Sequence, residues 1–219
     1  TNCAMTQTRG AGYCGRFAPS PSGPLHRGSL VAAIASYLDA RAHRGQWFVR
    51  IDDIDPPRCA NGASEAITHE LDRLGLHADG PVQYQSDRDA AYRCVLDELA
   101  TSGATFDCGC TRKEVAGNAY RGTCEDGLPP GREARSVRLR VPDEHVTYEE
   151  YGQGTQSVSL GTDPGAFIVR RADGLVAYHL ACVLDDAQLG VTHVVRGCDL
   201  SASTGPQVWL YRVLGLTNP

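Results

Sequence analysis

Between Gly28 and Arg44, Leu30, Ile34 and Leu38 recur at intervals of four, with Val31 and Ala35 beside them. This spacing predicts an amphipathic helix with those side chains toward the core. Ahead of it, Tyr13 to Ala18 reads as a short strand. After it, "QWFVRID" (Gln46 to Asp52) has the composition of a buried strand and is ended by the turn "DIDPP". A second helix is expected from about Ser64 to Leu74, and a third in "SDRDAAYRCVLDELA", where Ser86 and Asp89 have capping-box spacing. Strand, helix, strand, helix at these lengths predicts a parallel sheet with crossover helices.

The pattern breaks at Thr105 to Gly131, a stretch rich in cysteine, glycine and loop residues. "SVRLRV" then alternates apolar and charged positions, as a half-exposed strand does. Strand and helix patterns resume in "AFIVRR", "AYHLACVLDD" and "GVTHVVRG". Ser203 to Leu214 is helical by pattern, with Trp209 and Val213 four apart. The expected fold class is therefore α/β, a Rossmann-like parallel-sheet domain with a small insertion. Residues 11–104 would form its first half, 105–135 the insertion and 136–219 the second half.

Composition narrows the partners. The 219 residues carry a net charge of −5, so no overall positive field draws nucleic acid, and any such contact needs a local patch. That patch must be arginine, because Lys113 is the only lysine. Arg132, Arg135, Arg138, Arg140, Arg170 and Arg171 are the nearest approach to one; a solvated strand face explains "RLR" equally well. The start of the chain has no apolar run, so neither a signal peptide nor a membrane span is expected. Nine irregularly spaced cysteines in a chain of this size predict reduced thiols, with or without a metal site, and a cytoplasmic setting.

"GRFAPSPSGPLHRGSL" (Gly15 to Leu30) specifies its backbone far more than a plain connection needs. A strand, a Pro- and Gly-rich turn and a helix N-terminus form a phosphate-binding geometry in open parallel sheets. Gly28 would let a ligand approach the backbone, and Ser29 would donate from the first turn. His26, just ahead of the helix dipole, would be a neutral donor to phosphate. Neither the P-loop nor the dinucleotide fingerprint occurs here. A proline-stiffened turn with a capping histidine remains an equal alternative on chemistry alone.

"CGCTRKEVAGNAYRGTC" brings Cys108, Cys110 and Cys124 into one loop-rich stretch. Zinc prefers four ligands; Asp107, Glu125, Asp126 and His145 are candidates for the fourth, and three buried thiols without metal are the alternative. Cys3, Cys14, Cys59, Cys94, Cys182 and Cys198 show no ligand spacing and read as core thiols.

Taken together, "RFAPSPSGPLH-G", "VRIDDIDPPR", "YHLACVLDD" and "GVTHVVRGCDL" resemble, in order, the segments of class I aminoacyl-tRNA synthetases of the glutamyl group. His26 and Gly28 fall on that group's first signature. Within it the chain is most similar to the glutamyl-queuosine tRNA(Asp) synthetases, small paralogues without an anticodon-binding domain. The resemblance implies a synthetase catalytic domain with a zinc-binding insertion, whose single structural zinc is held by Cys108, Cys110, Tyr120 and Cys124. It implies a catalytic loop of His26, Gly28 and Ser29. It also implies that Arg16, Asp52, Tyr178 and Arg196, with Phe17, Ala18, Pro19 and Ser20, bind L-glutamate.

The implied reaction is activation of glutamate by ATP with magnesium. Transfer of the glutamyl group to queuosine in the anticodon loop of tRNA(Asp) follows, by a chain expected to act as a monomer away from membranes. Asp52 stands where the family commonly has glutamate, and Arg27 where it is commonly apolar or aromatic. The family's second signature, a lysine-bearing loop, lies downstream of "YRVLGLTNP", where this sequence stops. A shortened glutamyl-tRNA synthetase charging the acceptor end, or a non-catalytic zinc- and nucleotide-binding module, are the rival readings.

Overall fold

A computed structural model describes residues 12–115, 120, 122–162 and 164–219. Its contacts divide the chain into two compact units. One, the sheet unit, holds the described residues up to Asp89 together with Asp185–Ser201 and Asn218–Pro219; the other, the cysteine unit, holds the described residues of Ala90–Leu184 and Ala202–Thr217.

In the sheet unit, β1 (Cys14–Phe17), β2 (Gln46–Ile51) and β3 (Gln83–Tyr84) run parallel in the order β1-β2-β3, with Arg16 opposite Phe48 and Arg50 opposite Gln83. α1 (Arg27–Ala42) crosses from β1 to β2, and α2 (Ala63–Arg73) follows β2. The return from α1 is tight. A side chain at Gly45 would lie 2.4 Å from the Tyr13 carbonyl oxygen, so only glycine lets this turn run against β1.

The core joins Trp47, Val49 and Ile51 of β2 to Ala33 and Ala40 of α1 and to Ile67 and Leu71 of α2. This reverses the face expected for α1. Val31, Ile34 and Leu38 are exposed, while Ala33, Ser36 and Ala40 are buried. Small residues let the helix lie close to the sheet, and Ser36 Oγ accepts the Trp47 indole N–H at 2.9 Å, satisfying a buried polar pair. "GVTHVVRG" also departs from expectation, since residues 191–197 have no strand. Successive amides of Thr192 and His193 both converge on the Cys14 carbonyl, which borders β1 without building a ladder.

The cysteine unit contains α3 (Asp89–Thr101), all but its first residue, and an antiparallel sheet of β4 (Thr105–Cys108), β5 (Ser136–Leu139) and β8 (Ile168–Arg170) in the order β4-β5-β8. It also holds the short α4 (Arg112–Val115) and the hairpin of β6 (His145–Glu150) and β7 (Gly154–Ser159). α6 (Thr204–Val213) packs Val208 with Val146 and Leu160. α5 (Tyr178–Leu189) is shared, its last residues from Asp185 belonging to the sheet unit.

β5 is not half-exposed. Ser136, Arg138 and Leu139 are all buried, and the register with β8 shifts between Val137 and Arg138. Cys14, Cys59, Cys182 and Cys198 are free thiols, Cys198 exposed rather than in the core, whereas Cys94 is disulfide-bonded; Cys3 lies outside the described residues. Among the described residues no helix is long and apolar enough to cross a membrane.

Candidate functional site

The opening loop is fastened to the end of β2. The Asp52 amide donates to the Pro19 carbonyl at 2.9 Å, and the Ala60 amide to that of Pro21 at 2.8 Å. Two segments read separately in the sequence thus meet at the carboxyl ends of parallel strands, where open α/β sheets bind ligands. Phe17 and Pro19 are buried, Ala18 is half-buried and Ser20 is exposed. His26 is the N-cap of α1, its Nδ1 accepting the Ser29 amide at 3.2 Å. A ring nitrogen that accepts carries no proton, which leaves Nε2 as the ring's donor. Gly28 has a reason beyond ligand access. A Cβ there would sit 2.9 Å from His26 Cε1 and displace the capping ring.

Behind the loop lies a buried set of three guanidiniums and three carboxylates from Arg16, Arg50, Arg88, Asp52, Asp185 and Asp186. Arg50, fully buried in β2, donates through Nε to Asp52 Oδ1 at 2.7 Å and through Nη1 to Asp186 Oδ1 at 2.5 Å. Arg16 Nε reaches both oxygens of Asp186 at 3.2 Å. Asp185, also fully buried, forms an ion pair with Arg88 (Nε to Oδ1 2.6 Å) and accepts a hydrogen bond from Gln85 Nε2 at 2.6 Å. Equal numbers of opposite charges offset the cost of burying any of them.

Burial pushes the Asp52 carboxyl up, and the Arg50 guanidinium does not fully reverse this. For Asp186 burial acts the same way, but the charges of Arg16 and Arg50 outweigh it and the carboxyl is held below the ordinary range.

The structure therefore brings Arg16, Asp52 and the loop from Phe17 to Ser20 together. Arg196 is half-buried in the same unit, in the run that begins beside β1. Tyr178, the first residue of α5, falls in the cysteine unit, edge-on to His179 at 5.6 Å between ring centroids. Arg50, Asp185, Asp186, Gln85 and Arg88 were given no role by the sequence reading. Two signals pointed to three of them: an arginine, Arg50, inside the buried run "WFVRI", and the paired acids Asp185 and Asp186 in the otherwise apolar "YHLACVLDD".

In the cysteine unit, the thiols of Cys108, Cys110 and Cys124 lie within 4.8 Å of one another. Cys110 and Cys124 are 3.7 Å apart at sulfur, and Cys108 Sγ is 3.7 Å from Tyr120 Oη. Tetrahedral zinc with Zn–S of about 2.3 Å separates its sulfurs by about 3.8 Å, so the spacing fits a four-coordinate ion. The donor chemistry fits as well. Burial pushes the Cys108 thiol up, but the Cys110 amide and the Arg138 guanidinium outweigh it and favour thiolate. Burial pushes the Tyr120 phenol up, so its ionisation calls for an adjacent cation.

Of the six arginines named for a patch, Arg135 and Arg170 are exposed and the other four have partners. Arg138 is buried with Nη1 on the Ala166 carbonyl, Arg132 and Arg140 pair with Glu114 and Glu125, and Arg171 pairs with Asp173.

Residues 14–127 and 124–219 match the family described as tRNA synthetases class I (E and Q), catalytic domain. The chain belongs to that family. It is an aminoacyl-tRNA synthetase-type ligase, a class that consumes ATP and an amino acid and acts on tRNA. It is 52% identical over 222 residues to the glutamyl-Q tRNA(Asp) synthetase of Burkholderia orbicola, covering 95% of this chain and 74% of that one. The Bordetella bronchiseptica protein of the same name is 52% identical over 94% of this chain and 69% of its own. Among solved structures, a glutamate tRNA ligase from Elizabethkingia meningosepticum in complex with its amino acid superposes with a TM-score of 0.83 at 26% identity, over 95% of this chain. The glutamate-tRNA synthetase of Elizabethkingia anophelis gives 0.84 at 26%. The chain spans about half the length of these synthetase structures, 48% and 49%.

Proposed function

We propose that this chain activates L-glutamate with ATP and transfers the glutamyl group to queuosine in tRNA(Asp). In the first step a glutamate α-carboxylate oxygen bonds to the α-phosphorus of ATP while the bond to pyrophosphate breaks. In the second, a hydroxyl oxygen of the queuosine cyclopentenediol attacks the acyl carbon and AMP leaves. Neither step needs a nucleophile from the protein.

His26 Nε2–H, the Ser29 hydroxyl and backbone amides at the α1 N-terminus stabilise charge on the phosphate. Arg16 grips a carboxylate of the amino acid and Asp52 takes its ammonium, with Arg196 and the loop from Phe17 to Ser20 beside them in the same unit; a part for Tyr178 rests on the family resemblance alone. Magnesium enters with ATP. Cys108, Cys110, Tyr120 and Cys124 would hold zinc, which supplies a structural cross-link in that unit when bound.

The observation that carries the queuosine branch is identity: 52% to the glutamyl-Q synthetases, against 26% to the glutamate tRNA ligases. Glutamate-dependent ATP–pyrophosphate exchange without tRNA is the test, followed by transfer of labelled glutamate to an isolated anticodon stem-loop with and without queuosine. Exchange plus queuosine-dependent transfer is the expected result. Labelling only of the acceptor end in full tRNA would replace this reading with acceptor charging.

A further inference from the structure

Arg16 on β1 and Asp52 just beyond β2 are joined through two other side chains. Asp52 is held by Arg50 Nε at 2.7 Å, Arg50 Nη1 holds Asp186 Oδ1 at 2.5 Å, and Asp186 holds Arg16 Nε at 3.2 Å. We propose that Arg50 and Asp186 are positioning residues whose shared ion pair sets the spacing and orientation of Arg16 and Asp52 as anchors for the two charged ends of the amino acid. This inference rests on the glutamate-binding reading above and deepens it.

Three features carry it. Arg50 in β2 and Asp52 just past its end are two residues apart, and their side chains meet on one side of the sheet. Arg50 is fully buried and Asp186 nearly so, which holds each in one geometry rather than in solvent-averaged ones. Asp186 presents Oδ1 to both arginines at once, so it registers β1 against β2 at their ligand-facing ends. A second carboxylate, Asp185, lies 3.7 Å from Arg50 Nε and is itself held by Arg88 and Gln85, so the relay is braced from behind.

Buried ion pairs of this kind contribute little net stability compared with apolar residues of the same volume. Their use is to fix where the outer charges stand. An amino-acid site misplaced by about 1 Å loses on the order of a hundredfold in rate. Asp52 is one methylene shorter than glutamate, and its hold on Arg50 sets how far that short carboxylate reaches.

Asp186→Asn and the paired replacement Arg50→Met/Asp186→Leu test this in the full chain. The pair removes one charge of each sign, so it leaves net charge unchanged and keeps a folded comparison available should Asp186→Asn fail to fold. Equilibrium binding of L-glutamate and of ATP is measured separately by calorimetry, beside thermal unfolding. The expected result is loss of glutamate affinity by tenfold or more in the folded variants, with ATP affinity within twofold of the parent. Glutamate affinity within twofold of the parent would overturn the proposal. Parallel losses for glutamate and ATP would do so too, marking the relay as merely structural. A parent protein that binds ATP but no glutamate would remove the underlying reading, and this inference with it.

Discussion

Arg138 Nε donates to Cys108 Sγ at 3.3 Å inside the cysteine unit, and the same guanidinium lies over the Tyr120 ring at 4.2 Å. One buried arginine thus touches two of the four groups that would hold a metal. Three thiolates and a phenolate on a divalent ion leave an excess of negative charge, which a buried guanidinium offsets. Arg138→Met is expected to weaken zinc binding about 10- to 100-fold, measured by competition against a chromophoric chelator. Arg138→Lys, which keeps the charge, should lose less. Equal zinc affinity in Arg138→Met and the parent would remove the arginine from the metal site.

Gly28 separates stability from binding. Alanine is favoured over glycine inside a helix by up to about 1 kcal/mol, and losing the His26 cap costs about the same, so Gly28→Ala should leave the melting temperature near that of the parent. The new Cβ would nevertheless press on the His26 ring at 2.9 Å and turn it from the phosphate side. ATP affinity is expected to fall about tenfold, in line with loss of one good donor. A variant that melts higher and binds ATP as well as the parent contradicts the role given to His26.

Acidification should act on binding before it acts on folding. Burial raises the Asp52 carboxyl, and only its ionised form attracts an ammonium group, so glutamate affinity falls as pH drops through a range above the ordinary carboxylate value of about 4. Asp186 is shifted the other way, net of burial, by Arg16 and Arg50. A depressed folded-state value stabilises the fold above the unfolded carboxylate range and loses that contribution only as pH falls toward the depressed value. Calorimetric titrations with glutamate and thermal melts over the same pH series check the order. Melting that collapses before glutamate binding weakens would contradict it.

The buried face of α1 makes a further test. Leu38 is 58% exposed, so Leu38→Gln should change stability by no more than about 0.5 kcal/mol. Ser36→Ala orphans the Trp47 indole N–H in the interior and should cost about 1–3 kcal/mol. Denaturant unfolding of both variants decides it. The opposite ranking would return the core to the Leu30, Ile34 and Leu38 face.

That face shows how pattern reading goes astray here. Leu30, Ile34 and Leu38 have the larger apolar side chains, so periodicity selects them. The helix instead lays Ala33, Ser36 and Ala40 on the sheet because close approach needs small residues there, with Trp47 filling the space. The β6–β7 hairpin was missed for a related reason. "HVTYEE" and "GTQSVS" bury only Val146 fully, and two mostly polar strands give no apolar alternation to detect.

Local signals in the chain alone determined β1, α1, β2, α2 and α3 in order, though not the two-residue β3, and they determined the turn at Asp52 and the clustering of Cys108, Cys110 and Cys124. Each depends on residues close in sequence, where periodicity, turn chemistry and ligand spacing act. Tertiary structure alone decided which face of α1 is inside, that Arg138 serves the cysteine cluster rather than a basic surface, and that Arg16 and Asp52 are linked. The linking bonds join residues 136 and 170 positions apart, Arg50 with Asp186 and Arg16 with Asp186. No local pattern encodes a pairing at that separation. It forms because burying these charges is tolerable only when the folded chain sets opposite ones beside them.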